Sequence, residues 1–458
     1  MNPTTTTRNG KLPLDVLTEI FPHYAAEETP QHPTETLLPI CKSWHVAALA
    51  KHSIWGQFAI QIGHGSDTEM ILRRTETRLK RSGDVSPMDI KLRNIVDIDP
   101  NAPKIMEVFE DHQPRPTPAA KCPTMVDKKS RWKKSCTCER SAYECVENIL
   151  ILLAGLDGRH CARWRSLILS PRTSQQHVRS DIGIVGDGRI AQMLLYPMPR
   201  LISLSMHTFM DKFSSGEQIF PHVPSLTHVV LSDCMISKIP NAKNLVLLGI
   251  SFKSLIISGA WYKEQVWRTS MPRLKVLKLN CPRFPLSCPE NFPQLRTLEL
   301  RGERFPMYEA YTYTPLLHLS HLSLGIEGTL LLESLETSIP ESLKHVKSLR
   351  LWYGGRFLFM NSSDDILLQL VRFLRLMSGL ELLEGDIIML SIVIKLIADP
   401  PESVSDLQLF GGQEISFRLS PGGPLWKLPS PSAQEDVAEL ASRLGVIGLQ
   451  KSWRWVLK

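Results

Sequence analysis

Residues 271–280 read MPRLKVLKLN, and residues 292–301 repeat the arrangement as FPQLRTLELR. Each stretch places its leucines in the order L-x-x-L-x-L, directly after a proline phrase. Successive side chains of a strand point to opposite faces, so we expect Leu277 and Leu279 to face inward and Lys278 to face outward. One such unit cannot bury its apolar side alone, whereas stacked units share a continuous core. The pattern therefore predicts an α/β fold with a curved parallel sheet and with helices or loops on its outer side.

The same pattern returns along most of the chain at irregular intervals. Between Leu201 and Val346 the copies are spaced by 19 to 29 residues. The predicted copies begin at Trp164, Leu201, Leu226, Leu245, Leu274, Leu295, Leu319, Val346, Leu380 and Val404. Single copies also occur in ordinary amphipathic elements, but many copies in order indicate a repeat architecture. The spacing and pattern resemble leucine-rich repeats of an irregular kind, and this resemblance implies a solenoid.

The outward positions of the predicted strands are the candidate target-binding surface. Repeat proteins use such extended faces to bind other proteins. Arginine and tryptophan are enriched at binding hot spots, so Arg350 and Trp352 rank first, with Trp352 as the exposed aromatic of the face. The candidate target-binding residues are Lys278, Glu299, His321, Arg350 and Trp352. For any single position, an ordinary solvated strand residue is the alternative interpretation.

The N-terminal part of the chain carries more apolar surface than so short a segment can bury by itself. It reads KLPLDVLTEIF at residues 11–21 and LLPICKSWHVAALAKHSIW at residues 37–55. Below about 40 residues a chain rarely builds a stable core alone. We therefore expect the surplus to pack on a partner protein, and the alternative is packing against the rest of the chain.

The order of these residues resembles an F-box, and more narrowly the F-box-like proteins of mushroom-forming fungi. The resemblance rests on Leu12-Pro13, Val16-Leu17, Ile20-Phe21, Ile40-Cys41-Lys42-Ser43-Trp44 and Ile54-Trp55, about a tenth of the chain. It implies binding to the adaptor Skp1, and through Skp1 to a cullin, in a ubiquitin ligase. The residues that the resemblance assigns to Skp1 binding are Leu12, Pro13, Leu17, Ile20, Phe21, Ile40, Cys41, Trp44 and Trp55. A scaffold that works outside a ligase is the alternative with the same architecture.

Composition and the residues that mark turns, linkers and helix ends predict six segments. They are a disordered N-terminus (1–10), a helical F-box domain (11–60), a linking helix and strand (61–110), a Pro/Lys-rich mobile insertion (111–145), a leucine-rich-repeat-like domain (146–431), and a C-terminal capping helix with a tail (432–458). Residues 121–140 hold seven basic and two acidic residues. Such a run attracts nucleic acid, so a nucleic-acid-associated factor is a further alternative. Only Trp132 could stack on a base there, and a solvated insertion is the favoured interpretation.

The sequence offers no catalytic constellation. Gly183 to Gly188 is glycine-rich but lacks the Lys-Ser/Thr of a phosphate loop. The nine cysteines show no disulfide or zinc spacing, which is typical of reduced thiols. No secretory signal or membrane-spanning run is visible. We therefore expect a non-enzymatic protein without metal or cofactor, located in the cytoplasm or the nucleus.

Overall fold

The computed structural model describes a set of segments that together hold the principal helices and strands. The described residues are 16, 19–21, 37–63, 66–95, 137–171, 184–185, 189–207, 209–210, 219–232, 234, 239–251, 269–280, 291–302, 316–326, 332–333, 335–336, 339–353, 363–385, 389–390, 393, 416–419, 447–449 and 454–456. The chain divides into two compact units. Unit 1 comprises Met1–Ile98 with Pro118–Ser225, and unit 2 comprises Asp99–Thr117 with Leu226–Lys458. The division falls inside the segment 146–431 that we predicted to be one repeat domain.

Unit 1 is built on parallel strands with helices between them. Its elements in chain order are α1 (Lys42–Ala50), α2 (His52–Trp55), β1 (Gln57–Gly63), α3 (Thr68–Arg81), β2 (Met88–Ile95), α4 (Thr137–Ala154), β3 (Trp164–Pro171), β4 (Ile184–Val185), α5 (Arg189–Met193), β5 (Ser203–His207) and β6 (Phe209–Met210). Strand β2 pairs in parallel with β1 and β3, and β3 pairs in parallel with β5. The short strands β4 and β6 pair separately. The helix and strand predicted for segment 61–110 are confirmed as α3 and β2.

Helix α3 shows how local sequence sets these elements. Asp67 caps it by accepting a hydrogen bond from the Met70 amide at 2.9 Å, and acidic Glu69 lies in the first turn. Arg78, Lys80 and Arg81 lie in the last turn, where cations favour the helix dipole. The side chain buried against β1 is that of Arg78, which donates to the Gln57 carbonyl.

Helix α4 begins inside the segment 111–145 that we predicted to be a mobile insertion. The helix starts at Thr137, so this part of the segment is ordered secondary structure. The reason is visible in its C-terminal half, where apolar residues recur at helical spacing and are buried. These buried residues are Cys145, Val146, Ile149, Leu150, Leu153 and Ala154. The remainder of the basic run, residues 121–136, lies outside the described residues.

Unit 2 contains the repeat sheet that the sequence predicts. Its elements are β7 (His228–Ser232), β8 (Leu247–Ser251), β9 (Val276–Asn280), β10 (Thr297–Gly302), β11 (His321–Ile326), α6 (Pro340–Leu343), β12 (Ser348–Tyr353), α7 (Ser363–Arg375), β13 (Leu382–Gly385), β14 (Ser416–Leu419), β15 (Ile447–Leu449) and β16 (Arg454–Val456). Strands β7 to β14 are parallel, and each pairs with the next one in the chain. The α/β class with a parallel sheet is therefore confirmed.

The register aligns equivalent leucines from strand to strand without a slip. One row runs Leu248, Leu277, Leu298, Leu322, Leu349 and Leu383. The apolar residue two positions before each of the strands β7 to β13, a leucine in every case but Val346, is also buried, as predicted for Leu274, which is 0% exposed. Its amide donates to the carbonyl of Met271 at 3.1 Å, and Leu295 repeats this bond to Phe292. Met271 and Phe292 are themselves buried, so each of these two repeats adds an apolar position just before its proline that we did not predict.

The C-terminal part of unit 2 is described only in short pieces. The helix predicted at the start of segment 432–458 and the copy beginning at Val404 lie outside the described residues. The described tail residues form β15 and β16, which pair antiparallel with each other, and β16 pairs antiparallel with β14. Among the helices described here, none is long and apolar enough to cross a membrane.

Candidate functional site

The N-terminal segment builds a small core of its own. Its buried members are Phe21, Leu37, Ala47, Ala48, Ile54 and Trp55, with Leu38 and Trp44 packed against them and partly buried. The rings of Phe21 and Trp44 lie 5.3 Å apart between centroids and are tilted by 54°. Aromatic pairs favour such tilted contacts. The cluster therefore packs α1, through Ala47 and Ala48, against α2, through Ile54 and Trp55.

Two of the predicted Skp1-binding residues belong to this core. Trp55 is 0% exposed; its indole N–H donates to the Ala48 carbonyl at 2.7 Å, and the Arg81 guanidinium lies over its ring at 4.7 Å. Phe21 is likewise 0% exposed. Both side chains are fully occupied by contacts within the chain, so we assign Phe21 and Trp55 to core packing rather than to a partner-binding surface.

Other large apolar side chains of the segment face solvent. We call them the N-terminal apolar residues: Val16 (38% exposed), Ile20 (43%), Ile40 (55%), Val46 (58%) and Leu49 (36%). They make up half of the large exposed hydrophobic residues found in the described part of the chain. In α1, Val46 and Leu49 are three positions apart and share one helix face, while the intervening Ala47 and Ala48 are buried. The helix thus buries Ala47 and Ala48 and exposes the larger Val46 and Leu49.

The remaining predicted Skp1-binding residues fall into three groups: exposed residues, one half-buried residue, and residues outside the described part of the chain. Ile20, Ile40 and Cys41 are exposed, and Trp44 is half-buried. Leu12, Pro13 and Leu17 lie outside the described residues. Val46 and Leu49 were not among the residues that we predicted. Helical spacing in the sequence could have indicated their exposure, because both lie on the side of α1 opposite its two buried alanines.

The predicted target-binding residues lie on one face of the sheet in unit 2. The register places Lys278, Glu299, Ser323, Arg350 and Glu384 in one row across five neighbouring strands. Within that row, Lys278 Nζ and Glu299 Oε2 form an ion pair at 3.1 Å. His321 lies on the same face one row earlier, and it is exposed. Two of the predicted binding residues therefore neutralise each other.

The exposure that we predicted for Trp352 is wrong, because its side chain is only 9% exposed. The register pairs Trp352 with Gly325, and the indole occupies the space above that glycine. A Cβ at position 325 would lie 2.7 Å from the indole nitrogen of Trp352 and 2.9 Å from Cγ of Arg301. The Arg350 guanidinium lies 5.8 Å from the centre of the indole ring. Trp352 is therefore a packed element of the sheet face, in contact with Gly325 on the neighbouring strand and with Arg350 on its own.

The described residues offer little for covalent chemistry. They contain no group of three or more histidine, cysteine or acidic side chains that could hold a metal ion. Burial raises the pKa of Cys145, and it raises the pKa of Cys161 to about 12, which disfavours the reactive thiolate. A groove of about 270 Å³ runs along α3 and is lined by Asp67, Glu69, Met70, Arg73, Arg74, Thr77, Arg78 and Arg81. Its lining contains neither histidine nor cysteine and is dominated by four arginines.

A scan against protein-family models and a search of curated proteins gave no match to this chain.

Proposed function

We propose that the chain is the substrate-recognition subunit of an SCF-type (Skp1–cullin–F-box) ubiquitin ligase. The N-terminal apolar residues would bind a Skp1-like adaptor, and through it a cullin. The sheet face of unit 2 would bind the target protein. The observation that carries the proposal is the exposure of Ile20 and Ile40 beside a small, already filled core, in a segment whose residue order resembles an F-box.

The energetics of that surface favour a partner. Burying one exposed aliphatic side chain contributes about 1.5–3 kcal/mol. Several such side chains on one short segment supply a large part of the free energy that a stable protein complex needs. In such a complex the chain would act by positioning, since tethering a target raises its local concentration near the transferring enzyme. The proposed location is the cytoplasm or the nucleus, where reduced thiols are stable.

Co-expression with Skp1 tests the adaptor interaction. The variants Ile20→Asp and Ile40→Asp place a charge on the exposed apolar surface, and we expect each to abolish co-purification with Skp1. The matched controls are Leu156→Asp and Leu317→Asp, because Leu156 is 95% exposed and Leu317 is 61% exposed elsewhere in the chain. We expect both controls to retain Skp1. Co-purification of Skp1 with the Ile40→Asp variant at the level of the unmodified chain would refute the assignment.

A second measurement separates a ligase subunit from a scaffold. Affinity purification in the presence of a proteasome inhibitor should recover a cullin together with ubiquitin-conjugated target. Recovery of Skp1 without a cullin would instead support the scaffold alternative. The variant Ile40→Asp serves as the control, since it should lose the adaptor and the cullin together.

A further inference from the structure

A group of exposed cations lies at one edge of the sheet in unit 2, where the strands begin. We call it the basic edge, and it comprises Lys243, Arg273, Lys275 and Arg296. All four side chains are exposed, and within the described part of the chain none of them forms an ion pair. The edge is distinct from the row that contains Lys278 and Glu299, because it precedes the strands.

Backbone hydrogen bonds fix how close Lys275 and Arg296 are. The Arg296 amide donates to the Lys275 carbonyl at 2.9 Å, and the Lys275 amide donates to the Val246 carbonyl at 2.9 Å. Lys275 and Arg296 are therefore direct neighbours, at the strand spacing of about 4.8 Å. Arg273 precedes Lys275 by two residues, and Lys243 lies in the short 3-10 helix Ala242–Asn244 that leads toward β8. Like charges placed directly opposite each other destabilise a sheet.

The same edge is neutralised further along. Lys347 follows Arg296 after one intervening strand, and its ammonium pairs with Glu381 at 2.9 Å. Lys344 pairs with Glu341 at 2.7 Å. Among the described residues, carboxylates thus pair with Lys344 and Lys347, but none pairs with the four cations of the basic edge. The unmatched charge is therefore a local feature and does not follow from the general composition.

We propose that the basic edge binds an acidic segment of a partner protein, with several carboxylates close together in its sequence. Charge complementarity identifies this occupant, because a comparable number of carboxylates would relieve the repulsion among the four cations. The exposed His321 lies beside Arg296, since its amide donates to the Arg296 carbonyl at 2.9 Å, and its ring offers a further hydrogen-bonding group. The proposal rests on the proposed function only in identifying that partner as the target of the ligase.

The surroundings of the basic edge favour a protein over a nucleic acid or a membrane. Single-stranded nucleic acid is bound by cations together with aromatic side chains on which bases stack. In the described segments around the edge, residues 239–251, 269–280, 291–302 and 316–326, the aromatic residue Phe292 is buried and no tyrosine or tryptophan occurs. A membrane surface requires an apolar face beside the cations. Leu317 is the single large exposed aliphatic residue in these segments.

A labelled glutamate-rich peptide tests the proposal by fluorescence anisotropy with the full chain at low ionic strength. We expect binding that weakens as salt is added, since exposed charges are screened. The double variant Lys275→Gln/Arg296→Gln should bind about fivefold more weakly, the factor expected for two exposed charge pairs. The control Lys344→Gln/Lys347→Gln removes the same charge from pairs that are already neutralised, and it should bind like the unmodified chain.

Three outcomes would overturn the proposal. The first is the absence of peptide binding at low salt. The second is a loss of peptide affinity in the control variant equal to that in Lys275→Gln/Arg296→Gln. The third is binding of a single-stranded oligonucleotide or an anionic vesicle that is tighter than binding of the peptide and is abolished in Lys275→Gln/Arg296→Gln. The Ile40→Asp variant keeps this test separate from the adaptor test. It should bind the glutamate-rich peptide normally while failing to bind Skp1, so either proposal can fail without the other.

Discussion

The contact between Trp352 and Gly325 predicts a large effect from the addition of one methyl group. In Gly325→Ala, the new Cβ would lie 2.7 Å from the Trp352 indole nitrogen and 2.9 Å from Arg301 Cγ. The indole is 9% exposed and Arg301 is 6% exposed, so neither can move away freely. Overpacking of this kind costs about 1–3 kcal/mol, and the loss of glycine flexibility in the unfolded chain offsets about 0.4–1 kcal/mol. We expect a net loss of about 1–2 kcal/mol, or roughly 2–8 °C in the melting temperature.

A second glycine on the same sheet face provides the control. At Gly249 an added Cβ would meet Val230 side-chain carbons at 3.4 and 3.5 Å, which is ordinary contact. Gly249→Ala should therefore leave the melting temperature unchanged or raise it slightly. Adding Trp352→Val to Gly325→Ala should remove the clash with the indole and leave only the contact with Arg301, and a double-mutant cycle on urea unfolding would measure this coupling. If Gly325→Ala unfolds at the same urea concentration as Gly249→Ala, the packing argument is refuted.

Two further predictions concern buried groups in unit 1. Trp55→Ala should lower the free energy of unfolding by about 3–5 kcal/mol in urea unfolding, because the side chain is fully buried and hydrogen-bonded to Ala48; a change below about 1 kcal/mol would contradict the burial. Iodoacetamide near pH 8, followed by peptide mass spectrometry, should modify exposed Cys41 and spare Cys161 until the chain unfolds. Because the pKa of Cys161 is about 12 in the folded chain, and about 9 without burial, the unfolded thiol ionises first as pH rises. Stability should therefore fall above about pH 9, and this contribution should be absent in Cys161→Ala.

The repeat sheet could be predicted from sequence because its signal is local and redundant. Leu277 and Leu298 occupy the same place in two copies, and period-two alternation assigns each to the buried face. Alternation does not reveal what a neighbouring strand offers. Trp352 lies on the outward side as predicted, yet it is buried because register places Gly325 next to it. That neighbour is 27 positions away in sequence, and only the three-dimensional pairing brings the two together.

The N-terminal surface was predicted in part for a different physical reason. An apolar residue at helical spacing is suited equally to its own core and to a partner. Phe21 and Trp55 pack internally, whereas Ile20 and Ile40 remain exposed. Whether such a residue is buried or exposed depends on the angle between short helices and on contacts from distant residues such as Arg81, which lies over the Trp55 ring. Neither is encoded in the spacing of the apolar residues.

The strictly sequential pairing of β7 to β14 has an evolutionary consequence. Among the described strands, β8 to β13 hydrogen-bond only with the strands that precede and follow them in the chain, so one strand and its connecting loop form a contiguous stretch of the gene. Duplication or deletion of such a stretch would lengthen or shorten the sheet while the leucine rows stay aligned. The width of the sheet face could thus change in single genetic events, and its outward residues could diversify one strand at a time.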